Sequence, residues 1–187
     1  VDIGVLELSS FQLEMNKKFA PDIAIWTNWY PNHLDWHGTA EDYFKAKCNL
    51  VRFQNEHQHA VFSIDLFKGE VADRINAILP QMRSSLAVCS VKEPSVADIA
   101  CINREKFSVF YFDEQSFFVR ALVENKQIKN CEQICTFKAL PDITFVQNWV
   151  QVLASIHLLK FDLSLLANVL AQVPIVLDDH HYRIEHC

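Results

Sequence analysis

Glycine is nearly absent from this chain, which has only Gly4, Gly38 and Gly69 among its 187 residues. Loops of the G-x-G-x-x-G or G-x-x-x-x-G-K-[ST] type need closely spaced glycines, because their backbone N–H groups approach phosphates directly. The three glycines lie too far apart for either loop. We therefore expect that these residues do not hold ATP by themselves.

Positive charge and long apolar runs are also scarce. The chain has 17 basic against 23 acidic residues, a formal charge of −6, and duplex binding depends on neutralised phosphates, so no nucleic-acid partner is expected. The most apolar stretch, 149–177, is interrupted by residues such as Gln151 and Asp162, and it lacks the roughly 18 consecutive apolar residues that span a bilayer. Asp2 and Glu7 argue against a signal peptide. We expect a cytoplasmic protein without a membrane partner.

Closely spaced cysteine pairs are missing too. The six cysteines have no C-x-x-C spacing, which predicts reduced, mostly buried thiols in a chain of this length. A zinc site at Cys131 and Cys135 would need two further ligands. The cysteines are Cys48, Cys89, Cys101, Cys131, Cys135 and Cys187.

Apolar runs that stop at polar residues predict strands at 1–7 and 23–26. In an open α/β sheet, ligands bind outside the carboxyl ends of the strands, so polar residues at these ends are candidates for a site. The residues concerned are Glu7, Ser9, Thr27 and Asn28.

The rest of the sequence alternates between strand and helix patterns. We predict strands at 60–64 and 86–89, a helix at 71–79, a hairpin of 107–112 and 117–122 that turns at 113–116, a helix carrying Phe145 to Ile156, and another after Asp162. This order indicates an α/β fold with a mostly parallel sheet flanked by helices.

Residues 39–53 give the clearest helix, with Thr39 as its N-cap. At about 100° per residue, Lys47 falls in the middle of the apolar arc, whereas Lys45 points to solvent. A buried, unpaired ammonium is costly, so Lys47 requires an explanation. The pattern leaves open a snorkelling or paired lysine, a lysine with a depressed pKa, a clamp on substrate phosphate, or a modified lysine.

A polar and aromatic loop, residues 28–38, follows one predicted strand and precedes this helix. His33, Asp35 and His37 alternate along it and would share one side of an extended segment, although a turn after Pro31 would scatter them. Glu7 and His33, brought together at neighbouring strand ends, would suit Mg²⁺ or Mn²⁺. For each of these residues the alternative is an ordinary capping or hydrogen-bonding role.

Three ordered segments carry a family resemblance. They are E-L-S-S-F-Q-L-E at 7–14, T-N at 27–28 with H-L-D at 33–35 and H-G-T at 37–39, and Y-F-K-A-K at 43–47. Together they resemble successive motifs of the Mur ligase family central domain. The first segment is similar to that of the branch that adds D-glutamate to UDP-N-acetylmuramoyl-L-alanine in peptidoglycan synthesis.

The resemblance implies an ATP-dependent amide ligase. The substrate carboxylate is phosphorylated, an amino acid amine attacks the acyl phosphate, and Mg²⁺ or Mn²⁺ neutralises the charge. Glu7, His33 and Lys47 match the metal ligands, with Lys47 carbamylated, and His33 and Lys47 are the catalytic residues. A carbamate would explain why this lysine faces inward.

The remaining site residues also follow from the resemblance. Ser9, Gln12 and Asn28 match substrate-binding positions, and Asn148 and Arg183 match ATP-binding positions. The sequence departs from the family at three places. Asn32 replaces an aspartate before His33. In a downstream motif, Asp142, Thr144 and Phe145 stand where the family has glycine, histidine and asparagine. Tyr182 replaces the histidine before Arg183, and His181 is the candidate substitute for that histidine.

The resemblance also implies a domain organisation. Residues 1–178 would be a central domain without its first strand and P-loop, and 179–187 a linker and the start of a C-terminal domain. We expect the other domains of the enzyme, a UDP-linked muramoyl substrate and an amino acid as partners, a monomer, and no activity from these residues by themselves. The alternatives are a folylpolyglutamate or cyanophycin synthetase relative, and a degenerate, non-catalytic binding domain.

Overall fold

The sheet has six strands that follow one another in chain order. The computed structural model describes residues 2–113, 117–136 and 146–165. The strands are β1 (Ile23–Trp26), β2 (His59–Ser63), β3 (Ser85–Lys92), β4 (Lys106–Phe112), β5 (Phe117–Glu124) and β6 (Gln127–Thr136). Strands β1 to β4 pair in parallel, and β5 and β6 add antiparallel pairs. The predicted α/β class with a mostly parallel sheet is confirmed.

In the described ranges, six α-helices cover this sheet or lie at its edge. They are α1 (Ser10–Glu14), α2 (Leu34–His37), α3 (Ala40–Cys48), α4 (Ala72–Ile78), α5 (Val96–Ala100) and α6 (Val146–Leu158). Short 3₁₀ turns occupy Ile64–Phe67, Gly69–Val71 and Leu79–Gln81. Parallel strands that advance in one direction place their right-handed crossovers on the same face. Accordingly Phe44 of α3, Ile75 of α4 and Ile99 of α5 share one core cluster, and Leu153 of α6 belongs to the other.

The core lies on both faces of the central strands. Successive residues alternate between the two clusters, so Phe62 packs on the α3–α5 side and Val61 on the α6 side. Strands covered on both faces are apolar almost throughout, which explains the unbroken apolar runs that identified them. This two-sided burial fixes the carboxyl ends of β1 and β2, where the candidate site lies.

The predicted helix at 39–53 begins at the expected place and ends early. The Thr39 hydroxyl accepts a hydrogen bond from the Asp42 N–H at 3.1 Å, which confirms the N-cap. The helix ends at Cys48 because Asn49 turns to α1: its side-chain amide donates to the Leu13 carbonyl at 3.0 Å, and its own carbonyl accepts from Asn16 at 3.1 Å.

The strand predicted at 1–7 is wrong. Residues 2–9 have no strand structure, and Val5 is 91% and Leu6 65% exposed. An apolar run of this kind is stable as a strand only when neighbours cover both faces, and the described residues supply no such neighbours. Glu7 and Ser9 therefore lie in a loop before α1 and not at a strand end.

Several further expectations can be compared with the structure. None of the helices within the described residues is long and apolar enough to cross a membrane. The five cysteines from Cys48 to Cys135 are free thiols, but only Cys89 and Cys135 are buried. The prediction that most of the thiols are buried is therefore wrong for these five. Most of the helix predicted after Asp162 and the domain boundary at 178 lie outside the described residues.

Candidate active site

The three short helices of the N-terminal segment meet in a cluster of rings. Phe11 of α1 contacts the imidazole of His33 at 5.0 Å between centroids and stacks on His37 at 5.4 Å. His37 in turn contacts Tyr43 of α3 at 5.4 Å, and the Lys47 amine lies 5.3 Å from the Tyr43 ring centroid. The predicted metal ligands His33 and Lys47 therefore belong to one assembly, which we call the ring cluster (Phe11, His33, His37, Tyr43 and Lys47).

Lys47 is half-buried, as its place in the apolar arc predicts, whereas Lys45 is exposed and pairs with Glu41 and Asp42 at 3.8 and 3.5 Å. Burial lowers the pKa of the Lys47 amine below its ordinary value of 10.5. Across the described residues no carboxylate forms an ion pair with it, and its contact is the face of Tyr43. An inward amine with no anionic partner fits a lysine that acquires a negative charge by modification.

His33 adopts a left-handed backbone conformation with φ 55° and ψ 35°. Such conformations are uncommon for residues other than glycine and cost energy unless their surroundings hold them. The Asn32 side-chain oxygen accepts a hydrogen bond from the His33 backbone N–H at 2.8 Å. The Asn32 side chain thus contacts the backbone of His33.

The metal sites considered from the sequence have different outcomes. In the part of the chain that is described, no three His, Cys, Asp or Glu side chains come together as a metal would require. Within this part of the chain, neither His33, Asp35 and His37 nor Cys131 and Cys135 belong to such a group; a turn of α2 leaves His33 and Asp35 exposed while His37 is buried.

Glu7, His33 and Lys47 are a different donor set, because a carbamylated lysine is not one of those four residue types. Their chemistry suits Mg²⁺ or Mn²⁺, which bind carboxylate oxygens and tolerate an imidazole. Glu7 and His33 are exposed, and no ion pair occupies Glu7 within the described residues. The set fits a divalent cation in charge and availability, and its role as a metal site stays a prediction.

Ser9 and Gln12 bind each other at the start of α1. The Ser9 hydroxyl accepts from the Gln12 N–H at 3.3 Å, while the Gln12 side-chain oxygen accepts from the Ser9 N–H at 2.8 Å and from its hydroxyl at 3.1 Å. This capping box leaves the Gln12 amide nitrogen without a protein partner among the described residues. The Gln12 N–H₂ group is therefore the donor that a ligand can use.

A cavity of about 560 Å³ lies outside the carboxyl ends of β1 and β2 and beside the start of α6. It brings together Asn28 and Asn148, two predicted binding residues that are far apart in the sequence. The lining residues are Thr27, Asn28, Trp29, Tyr30, Pro31, Asp65, Lys68, Glu70, Val71, Gln147 and Asn148. Sequence reasoning missed Lys68 and Gln147; the polar residue that follows the second strand and the one beside Asn148 were the available signals.

The cavity and the ring cluster share a wall. Trp29 lines the cavity and its ring contacts Tyr43 at 5.0 Å, so it lies between the cavity and the ring that carries Lys47. The Trp26 indole N–H donates to the Asn28 carbonyl at 3.0 Å, and the Gln147 amide donates to the Ser63 hydroxyl. The first contact ties the loop after β1 to β1 itself, and the second ties α6 to the end of β2.

The sequence profile of the Mur ligase middle domain matches residues 1–132. The chain belongs to the Mur ligase family. Relatives of this Mur ligase middle domain are named UDP-N-acetylmuramoylalanine–D-glutamate ligase in Oceanobacillus iheyensis (31% identical over 119 residues, 64% of this chain and 24% of that protein) and Fervidobacterium nodosum (46% over 59 residues, 32% and 14%). The relative with that name in Geobacillus kaustophilus is 51% identical over 61 residues, 33% of this chain and 14% of that protein.

The ring cluster lies within residues 1–132, the part of the chain that the profile matches. The matched parts span 14% to 24% of these relatives' lengths. Arg183, His181 and the departures at Asp142, Thr144 and Phe145 lie outside the described residues, so the structure describes only Asn148 of the predicted ATP contacts.

Proposed function

We propose that this Mur ligase middle domain serves an ATP-dependent ligase that adds D-glutamate to UDP-N-acetylmuramoyl-L-alanine. The observation that carries the proposal is Lys47, a half-buried amine without an anionic partner among the described residues, in the same ring cluster as His33. The names of the relatives support the amino acid and the muramoyl substrate.

The environment of Lys47 favours carbamylation. Burial lowers its pKa, which raises the fraction of neutral amine at neutral pH, and the neutral amine is the form that attacks CO₂. The new N–C bond forms as the amine loses one proton, and the product is an anionic carbamate. Glu7, His33 and this carbamate would hold Mg²⁺ or Mn²⁺, which supplies positive charge beside phosphate oxygens.

The cavity suits the nucleotide. Tyr30 and Trp29 offer aromatic surfaces for a base, and the side-chain amides of Gln147 and Asn148 offer donors and acceptors for its edge. Lys68, whose amine pairs with two neighbouring carboxylates at 3.6 Å, would turn to a phosphate when the nucleotide binds. Arg183 is the further phosphate contact that the family resemblance implies. The glycine loop that cradles the phosphates would come from another part of the enzyme, because these residues lack one.

The muramoyl substrate would approach from the side of α1. The Gln12 amide nitrogen can donate to a phosphate or carboxylate oxygen, and Ser9 holds Gln12 in place through the capping box. The substrate carboxylate attacks the terminal phosphorus of ATP and releases ADP; the D-glutamate amine then displaces phosphate from the acyl phosphate and forms the amide.

A ligation assay on the full-length protein tests this proposal. We expect ADP release that requires both UDP-N-acetylmuramoyl-L-alanine and D-glutamate, with a product of the corresponding mass. ADP release with a folate and L-glutamate would instead support the folylpolyglutamate synthetase alternative. ATP binding without turnover would leave a non-catalytic binding domain and overturn the proposal.

Lys47→Ala tests the lysine directly. We expect a loss of activity of about a thousandfold, because the carbamate helps to place charge at the reacting phosphate, and partial recovery when acetate is added. Lys45→Ala is the matched control, since it removes an exposed lysine from the same helix and should leave activity unchanged. Full activity in Lys47→Ala would refute the carbamate role.

A further inference from the structure

One buried imidazole has no role in the proposed chemistry. His37 ends α2, and its side chain is only 1% exposed. Its Nε2 lies 3.0 Å from the Ser10 hydroxyl, and its Nδ1 lies 3.7 Å from the Glu14 carboxylate. Nε2 and the Ser10 hydroxyl are thus within hydrogen-bond distance of each other, and Nδ1 faces the Glu14 carboxylate. Both partners belong to α1, so His37 ties α2 to α1.

Ser10, His37 and Glu14 have the residue types of a nucleophilic triad, but their geometry opposes that role. Ser10 is only 5% exposed, so a substrate carbonyl cannot reach its hydroxyl. The distance of 3.7 Å to Glu14 also exceeds a hydrogen bond. A shielded hydroxyl and a shielded imidazole suit a fixed connection between helices.

Within the ring cluster, His37 contacts Phe11 and Tyr43, and these two rings in turn contact His33 and Lys47. Its ring stacks on Phe11 at an interplanar angle of 17°, and Phe11 also contacts the imidazole of His33. Its other neighbour is Tyr43, whose face carries the Lys47 amine. The four-residue helix α2 therefore has the strained His33 as its N-cap and the anchored His37 as its last residue.

The connection extends to the ligand-binding end of α1. Ser10 is the first residue of that helix and follows Ser9, whose capping box holds Gln12. A bond from His37 to Ser10 thus fixes the helix turn that presents the Gln12 amide. The Trp36 indole N–H adds a contact to the Glu14 carboxylate at 3.3 Å, at the other end of α1.

We propose that His37 is a positioning residue, which through the Ser10 hydroxyl fixes α1 against α2 and so holds the Gln12 amide and the His33 imidazole in a constant relation. The proposal rests on the proposed function for what these two groups bind. It makes His37 act through Ser10, Phe11 and His33, without contact to the reacting atoms.

The test compares substitutions of His37 in the full-length protein. His37→Phe keeps a ring of similar size but loses the hydrogen bond, and we expect Mn²⁺ affinity to fall about tenfold, as it does when a group that orients a metal ligand is removed. His37→Gln places an amide near the position of Nε2 and should restore most of the affinity; His37→Asn cannot reach Ser10 and should not. Equal Mn²⁺ affinity in all three variants and the wild type would overturn the proposal.

Ser10→Ala and a control histidine separate positioning from general stability. Ser10→Ala should lower Mn²⁺ affinity as much as His37→Phe does. The double variant should lose no further affinity, because both changes break the same hydrogen bond. His59→Phe is the matched control. His59 is the first residue of β2, and its Nδ1 lies 2.6 Å from the hydroxyl of Ser85, the first residue of β3, away from the ring cluster. It should leave Mn²⁺ affinity unchanged; an equal loss in His59→Phe would reduce His37 to a structural role and overturn the proposal.

A second measurement distinguishes this proposal from the proposed function. Amide hydrogen exchange of Leu13, whose N–H donates to the Ser9 carbonyl at 3.0 Å, reports how firmly α1 is held. It should accelerate about tenfold in His37→Phe and remain at the wild-type rate in His37→Gln. If the wild type binds no Mn²⁺ and ligates nothing, the proposed function fails. The exchange rate of Leu13 then still tests whether His37 holds α1 in place, and an unchanged rate in His37→Phe would overturn that role.

Discussion

The central strands and the N-terminal segment of this protein are stabilised in different ways. Strands β2 to β5 bury large apolar side chains completely, among them Phe62, Phe110 and Phe118. The segment of α1 to α3 consists of helices of 5, 4 and 9 residues joined by ring contacts and single hydrogen bonds. The sheet supplies non-directional burial, and the segment supplies directional contacts that place particular atoms. Of the residues proposed to bind ligands, Gln12, His33 and Lys47 lie in this segment, whereas the proposed nucleotide cavity lies at the strand ends.

The largest effect on stability is expected in the sheet. Phe118→Ala removes a fully buried ring that contacts Phe110 at 5.9 Å, and it should lower the free energy of unfolding by about 3–5 kcal/mol. Denaturant titration measures this, with Phe161→Ala as the control because Phe161 is 48% exposed. Activity per folded molecule should stay constant; a specific loss of activity in Phe118→Ala would contradict the division between the two regions.

A smaller effect with a larger functional consequence is expected at the junction of α3 and α1. Asn49→Ala removes the bond to the Leu13 carbonyl and should cost about 1 kcal/mol of stability. Asn76→Ala is the control, since the Asn76 amide donates to the Cys101 carbonyl at 2.9 Å and its oxygen accepts from the Asn103 N–H at 2.7 Å, both outside the segment. It breaks two bonds and should cost at least as much stability, but only Asn49→Ala should raise KM for the muramoyl substrate. Equal KM values in the two variants would remove the distinction.

The smallest expected effect is a gain. In protein kept free of CO₂, Lys47→Met replaces a half-buried ammonium by an apolar side chain and should raise stability by up to about 1 kcal/mol at pH 7. With CO₂ present, the same change should abolish ligation. Because burial lowers the folded-state pKa, the unfolded chain binds more protons, so wild-type stability rises with pH between that lowered pKa and 10.5. The gain should therefore shrink over this range, as thermal unfolding at several pH values would measure. A gain independent of pH would contradict the account of Lys47.

The sequence was sufficient to predict the buried strands and the inward lysine. Strands β2 to β4 are covered on both faces, so their apolar runs reflect their environment. Lys47 interrupts a helical apolar arc, and such an interruption is visible in one sequence.

Other elements left no such signal. Strand β6 exposes nearly all of its side chains, so its sequence carries no apolar alternation, and the apolar side chains among residues 2–9 are not covered. In the site, Phe11 and His37 meet only because α1 and α2 pack together, and Lys68 and Gln147 meet only across the sheet ends. Contacts between distant segments depend on the fold and cannot be read from local periodicity.

The placement of α6 has a consequence for synthesis of the chain. Helix α6 covers the face of the sheet that carries Val61, Ala87 and Phe110, and it begins only at Val146, after all six strands. At roughly 5–20 residues per second, translation leaves an interval of seconds in which the strands have left the ribosome but this cover has not. During that interval the nascent chain presents an apolar sheet face, so its solubility depends on how soon the last described helix arrives.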